Sequence, residues 1–196
     1  MIKIFSLMAI AYLLGSVSFA IVASKLFHFS DPRCAGSHNP GATNVLRLGG
    51  KNAAIFTMVG DIAKGIIPVL IAKGLHLPLF FQGIIALCAM LGHIFPLYYR
   101  FKGGKGVATT LGVLFALNIP LGIAAALTWV IVAFIFRYAS LASIVMMIAM
   151  PGFAHYLQLT SLTPSLLLMT GIVLLCHRAN IKRLLRGEES QMGKKS

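Results

Sequence analysis

The chain has 196 residues, of which 58% are hydrophobic and 11% charged, and its mean hydropathy is +0.89. A soluble domain carries about 25% charged residues, so the composition excludes an ordinary soluble protein. The net charge of +13 comes with no groove-reading motif and no interleaving of aromatic and basic residues, which argues against a nucleic-acid partner. Positive-inside topology accounts for most of that charge, and phosphate-bearing substrates are a second reason for it. Cys34, Cys88 and Cys176 are scattered without metal-ligand spacing, so neither a zinc site nor a disulfide framework is expected, and no metal is assigned.

Seven apolar segments follow in chain order, at 4–24, 52–73, 78–98, 106–118, 120–136, 138–158 and 163–177. They are continuous, whereas a membrane barrel needs alternating strands of ~10 residues. The expected fold is therefore an all-α integral membrane protein, a single bundle of seven transmembrane helices over 1–190 with a basic tail at 191–196. The first segment exceeds a signal-peptide core of about 7–15 residues and lacks an A-x-A-like cleavage site, so it reads as a spanning helix. The fourth is short, because a span needs about 20 residues. That makes the glycine turn before it a candidate for protein-lined, water-accessible space.

Seven spans put the termini on opposite sides. Of the 17 Lys and Arg residues, only Lys3 and Lys73 then fall on one side, and the rest, including Lys194 and Lys195, fall on the other. This asymmetry predicts the N-terminus outside and the C-terminus in the cytoplasm. The polar stretches 25–51, 100–106, 137–143 and 177–189 all converge on the cytoplasmic side. A transporter would place its polar site nearer mid-membrane.

The first of these holds GSHNPGATNVLR at 36–47. Ser37, Asn39, Thr43 and Asn44 offer hydroxyl and amide groups, and Arg47 supplies a planar cationic fork suited to phosphate. A solvated loop fits the same composition. FKGGKGVATT at 101–110 presents Gly103, Gly104, Lys105 and Gly106 just ahead of a helix start, where backbone N–H groups and the helix dipole favour an anion. It is not a Walker A loop, since Gly106 follows the lysine, and a plain glycine turn is the alternative. In HRANIKRLLRGEE at 177–189, His177 and Asn180 share a helix face. Arg178, Lys182, Arg183 and Arg186 suit anionic lipid headgroups, with Glu189 as an anchor for them. Ser140 and Ser143, one turn apart, read as capping, packing or ligand-facing residues. Asp61 and Lys64 form a potential charged pair inside the second segment, either structural or functional. His93 reads as a helix-packing residue, and His76 and His155 carry no assigned role.

Together these stretches resemble the bacterial acyl-phosphate:glycerol-3-phosphate acyltransferases of PlsY type. The residues that carry the resemblance are GSHNPGATNVLR, DIAKG at 61–65, GHIFPLYYRFKGGKGVAT at 92–109, SLAS at 140–143 and HRANIKRLLRGEE, in register over nearly the whole chain. The resemblance implies a seven-span enzyme of the bacterial inner membrane with its active site facing the cytoplasm. It implies acyl transfer from acyl phosphate to the sn-1 hydroxyl of glycerol 3-phosphate, giving lysophosphatidic acid and inorganic phosphate. By the same resemblance Ser37, Arg47 and Lys105 bind substrate phosphates, Ser143, His177 and Asn180 face the site, and Asn39, Thr43 and Asn44 shape it. Acyl phosphate is already activated, so no cofactor and no covalent intermediate are implied. The expected partners are the two substrates and membrane lipids, with no obligate protein partner. The HxxxxD motif of the other large class of glycerolipid acyltransferases is absent: no histidine has Asp five positions on. The family usually has Gly where this chain has His38, a position where Gly would adopt a positive φ more comfortably. Two rival classes remain at this point. A small transporter of phosphorylated metabolites would show inverted repeats, and a membrane assembly protein would not need Ser37 or Lys105.

Overall fold

In lipid every backbone N–H and C=O must be satisfied within the protein, and a helix does this within one segment. The computed structural model describes residues 1–193, and every regular element among them is helical. Lys194 and Lys195, the charges of the expected basic tail, lie outside the described residues. The helices are α1 (Ile2–Gly15), α2 (Phe19–Leu26), α3 (Ala42–Gly74), α4 (Leu79–Ile94), α5 (Val107–Leu117), α6 (Ile119–Phe136), α7 (Ala139–Tyr156), α8 (Thr163–Cys176) and α9 (Arg178–Leu185), with short 3-10 turns at Leu97–Tyr99 and Thr160–Leu162.

Each expected apolar segment is helical. By length and hydropathy five helical stretches can cross a bilayer, and a sixth can if the pair Thr160–Cys176 and Arg178–Leu185, bent by 62°, counts as one. α5 has 11 residues, about 16 Å at 1.5 Å per residue, against a hydrocarbon core of about 30 Å. The unpaired carbonyls at its C-terminal end are satisfied from outside the helix: Lys73 Nζ donates to Ala116 O at 3.1 Å and Leu117 O at 3.3 Å.

Three features depart from simple spans. The first segment breaks at Ser16–Ser18, where Ser16 Oγ donates back to Tyr12 O (2.8 Å) and accepts the Leu97 N–H (3.2 Å). α3 begins ten residues before the expected 52, so Thr43, Asn44 and Arg47 lie on a helix rather than in a loop. It kinks at Gly50, whose φ of 78° and ψ of −174° are open essentially only to glycine. The last apolar helix turns sharply at His177 into the amphipathic α9.

Small residues set the closest helix contacts, as expected where lipid supplies no drive for association. A Cβ on Gly65 would stand 2.4 Å from Thr109 O, and one on Gly112 would stand 2.2 Å from Ile62 O, so α3 and α5 meet backbone to backbone. α1 and α4 approach the same way at Gly15 and Gly92. Between these seams lies a core rich in methionine, with Met90, Met146, Met147, Met150 and Met169 fully buried beside Ile85, Leu114, Leu121 and Leu166. Phe134, Leu175 and Ile135 face outward, as lipid-facing residues do.

Candidate active site

At the end of the bundle where α4, α5, α7 and α9 meet, one continuous polar network forms. The chain leaves α4 through Phe95–Pro96, makes the turn Leu97–Tyr99, and passes Arg100 (φ 54°) and Phe101 (φ 59°) in left-handed geometry before the glycines. Gly106, at φ 83°, then starts α5. Lys105 stands between, half-buried, and its Nζ donates to Asn180 Oδ1. Asn180 Nδ2 donates to Glu189 Oε1 at 2.6 Å, the Ser140 hydroxyl donates to the same oxygen at 2.7 Å, and Arg183 Nε donates to Glu189 Oε2 at 2.7 Å. Burial pushes the Lys105 ammonium below the ordinary lysine value, and the Glu189 carboxylate opposes this in part. Burial alone would raise the Glu189 carboxyl. The hydrogen bonds from Ser140, Asn180 and Arg183 outweigh it and hold Glu189 below the ordinary glutamate value.

His177 sits at the α8–α9 bend, 2% exposed. Its Nδ1 is 2.8 Å from the Val173 carbonyl. A carbonyl only accepts, so Nδ1 carries the proton and Nε2 is the ring's remaining acceptor. Ser143 is buried; its hydroxyl donates to Ala139 O (2.8 Å) and accepts from Trp129 Nε1 (3.1 Å). Neither Ser140 nor Ser143 caps α7, whose first turn has no side-chain cap.

The first polar stretch is built differently. Buried Asn44 is its hub: Oδ1 accepts the Ser37 N–H at 3.0 Å, and Nδ2 donates to Pro32 O and Ala35 O, both at 3.0 Å. Gly36 lies so close that a Cβ would stand 2.2 Å from Asn44 Oδ1. Ser37, Thr43 and Arg47 are exposed, and none of the side chains of Ser37, Asn39, Thr43 and Arg47 makes a hydrogen bond or ion pair among the described residues. No such bond joins them to the Lys105–Asn180–Glu189 network. Arg33, a residue with no distinguishing sequence signal, ties the chain ahead of GSHNPGATNVLR to the turn that precedes the glycine loop. It pairs with Asp31 at 2.7 Å and stacks over the Tyr99 ring at 5.7 Å, just ahead of the glycine loop. Its hydrogen bond holds the Asp31 carboxyl below the ordinary range. His38 adopts φ 56°, the left-handed geometry that glycine would take more easily, with Nδ1 3.3 Å from Arg33 O.

No group of three or more His, Cys, Asp or Glu side chains among the described residues has metal-site geometry. What the network does offer is a cationic end, an amide with a determined orientation and backbone N–H groups ahead of a helix, a set suited to holding a phosphate.

The sequence profile described as glycerol-3-phosphate acyltransferase matches residues 5–187. This chain belongs to the glycerol-3-phosphate acyltransferase family. Curated relatives of that name include proteins of Burkholderia ambifaria (50% identical, covering 95% of this chain and 89% of the relative), Cupriavidus metallidurans (50%, 95% and 95%) and Methylococcus capsulatus (48%, 96% and 96%). Among solved structures, the crystal structure of PlsY, an integral membrane glycerol 3-phosphate acyltransferase, superposes in its glycerol 3-phosphate form with a TM-score of 0.93 at 37% identity, over 97% of this chain and 96% of that one. Its lysophosphatidic acid form superposes with a TM-score of 0.90 at 36% identity, over the same shares of the two chains. As a member of the glycerol-3-phosphate acyltransferase family the chain is a membrane acyltransferase, and the resemblance read from its five motifs is correct.

Proposed function

We propose that this protein transfers a fatty acyl group from acyl phosphate to the sn-1 hydroxyl of glycerol 3-phosphate, releasing lysophosphatidic acid and inorganic phosphate. The observation that carries this reading is the Lys105–Asn180–Glu189 network beside the glycine loop. Both substrates present a phosphate, and the network supplies a half-buried ammonium whose present partner is a neutral amide. A dianionic ligand displaces that amide as the stronger acceptor. Ser37 in the loop and Arg47 on α3, whose exposed side chains make no hydrogen bond or ion pair among the described residues, are the second set of phosphate ligands, with Asn39 and Thr43 beside them and Asn44 tying the Ser37 loop to α3. The sn-1 oxygen attacks the acyl carbonyl carbon, the carbonyl–phosphate oxygen bond breaks, and phosphate leaves with the electron pair. The leaving group is good enough that no covalent enzyme intermediate is needed. Lys105, Arg47 and the Gly103 and Gly106 backbone stabilise the charge, Gly104 shapes the turn with its N–H held by the His93 carbonyl, and Ser143, His177 and Asn180 position the acceptor.

The proton of the attacking hydroxyl goes to the phosphate of glycerol 3-phosphate in this scheme. His177 Nε2 is the competing base. If His177→Gln kept substrate binding, lost nearly all turnover and lost the acidic limb of its pH profile, His177 would be the base.

The membrane arrangement that suits this chemistry is seven spans in the bacterial inner membrane, outside N-terminus, cytoplasmic C-terminus, with α5 as the short fourth span. The reaction then draws on cytosolic glycerol 3-phosphate while the acyl chain stays in the hydrocarbon. The direct test incubates the purified protein in lipid with acyl phosphate and glycerol 3-phosphate, with acyl-CoA and acyl-carrier-protein donors in parallel. Lysophosphatidic acid and phosphate from the acyl-phosphate arm alone is the expected result. Product from another donor would overturn the donor assignment, and no product from any donor would overturn the enzymatic reading.

A further inference from the structure

Asp61, Lys64 and His93 lie outside the network described above, and each is almost completely buried. Lys64 Nζ is 2.8 Å from Asp61 Oδ1 and donates to Val17 O at 2.7 Å. Val17 is in the α1–α2 break, so its carbonyl is released from helical pairing where the ammonium needs an acceptor. On the other side of Asp61, His93 Nδ1 stands 3.6 Å from the same carboxylate oxygen, an electrostatic contact rather than a hydrogen bond. His93 closes the line at the glycine loop. Its carbonyl accepts the Gly104 N–H at 3.1 Å. A Cβ on Gly104 would stand 2.2 Å from His93 Nε2, and one on Gly103 would stand 2.1 Å from His93 O. The His93 ring is thus held between the Asp61 carboxylate and the backbone that carries Lys105.

A buried ion pair is weak evidence of stability, since desolvation offsets much of its attraction. A structural role alone would also not require the pair to touch a helix break and, through His93, to reach a loop beyond it. We propose that Asp61, Lys64 and His93 form a positioning unit that sets the height of the Gly103–Gly104–Lys105 loop, and so the place of the Lys105 ammonium, without touching substrate. Lys64 locks α3 to the α1–α2 break. Asp61 holds the His93 ring in one orientation, and the ring is the floor on which Gly104 rests. Both glycines are required, because a side chain on Gly104 would strike the ring and one on Gly103 would strike the His93 carbonyl.

The inference rests on the reading of the glycine loop as a phosphate site. Its test measures kcat, the KM for glycerol 3-phosphate and melting temperature in lipid for wild type, His93→Ala, His93→Gln, Gly104→Ala and the pair His93→Ala with Gly104→Ala. A charge-neutral double substitution, Asp61→Asn with Lys64→Met, removes the other half of the unit without leaving a buried lone charge. The expected result for His93→Ala and for the charge-neutral pair is a KM raised tenfold or more, with kcat changed less. His93→Gln, which keeps a polar group of similar reach toward Asp61, returns KM to within about threefold of wild type. Gly104→Ala raises KM on its own but adds little to His93→Ala, because the ring it would strike is gone. Lower melting temperatures with KM unchanged in both His93→Ala and the charge-neutral pair would make the three residues packing elements and overturn the proposal. Additive effects of His93→Ala and Gly104→Ala would also overturn it. Absence of turnover in the wild type would instead strike the functional reading beneath it.

Discussion

The Asn180 amide has two chemically different ends, and Glu189 decides which one faces Lys105. A carboxylate can only accept, so the amide nitrogen turns to Glu189 and the oxygen is left for the ammonium. The ammonium is therefore held by an acceptor weak enough for a phosphate to replace. Lys105 also titrates early. Burial lowers its pKa, so the KM for glycerol 3-phosphate rises at a more acidic pH than the ordinary lysine value of about 10.4 would give. Lys105→Arg removes that alkaline rise within the accessible range, which initial rates across an alkaline pH series will show. Lys105→Met raises KM about 10- to 100-fold, as loss of one charge-assisted hydrogen bond of about 1.5–3 kcal/mol requires. His38 shows the same scale from the other direction. It stands in left-handed backbone geometry that the sequence alone makes unfavourable for it, with its ring Nδ1 3.3 Å from Arg33 O.

Two elements carry the site residues at angles that their own sequences do not announce. The N-terminal turns of α3, with Thr43, Asn44 and Arg47, are redirected by Gly50, whose torsions cost a side-chain-bearing residue about 1–3 kcal/mol. Nothing lies within 4 Å of a Cβ built there, so the strain is purely conformational. Gly50→Ala is expected to lower the melting temperature and to raise KM without altering packing, checked by thermal unfolding and kinetics on one preparation. α9 is latched by Glu189, which reaches Ser140 on α7 and both Asn180 and Arg183 on α9 itself. The Glu189 carboxyl is held below its unfolded value, so its contribution is fully present above the ordinary glutamate pKa and is lost as pH falls through the lowered one. Glu189→Gln therefore lowers the melting temperature at neutral pH, and the gap to wild type closes in acid. A gap that persists unchanged below that range would mean the charge is not what holds the latch.

Over the whole molecule, the proposed orientation has a direct readout in Cys34, which is exposed beside the first polar stretch. A membrane-impermeant thiol reagent is expected to leave Cys34 unmodified in intact cells and to label it in inverted inner-membrane vesicles. The reverse pattern would invert the topology. The seven apolar runs, the short fourth helix and the gathering of polar motifs are all legible in the sequence, because hydropathy and helix period are local properties of a chain in lipid. The break at Ser16–Ser18 was not legible. It depends on Leu97, 81 positions from Ser16, and on Lys64, 47 positions from Val17. The candidate site was legible in part: residue types suited to phosphate stand out in GSHNPGATNVLR, GGKG and HRAN, and Ser140 stands out in SLAS without its Glu189 partner, whereas Trp129 and Arg33 contribute through contacts alone. By itself the sequence determined membrane residence, helical class, the asymmetry of charge and the chemistry of the ligand sought, since each follows from transfer free energies and side-chain types summed along the chain. Only the tertiary structure decided that Lys105 meets Asn180 across 75 positions, and that Asp61 and Lys64 reach the glycine loop through His93. Those pairings depend on which helix faces close against one another, and no local periodicity encodes them.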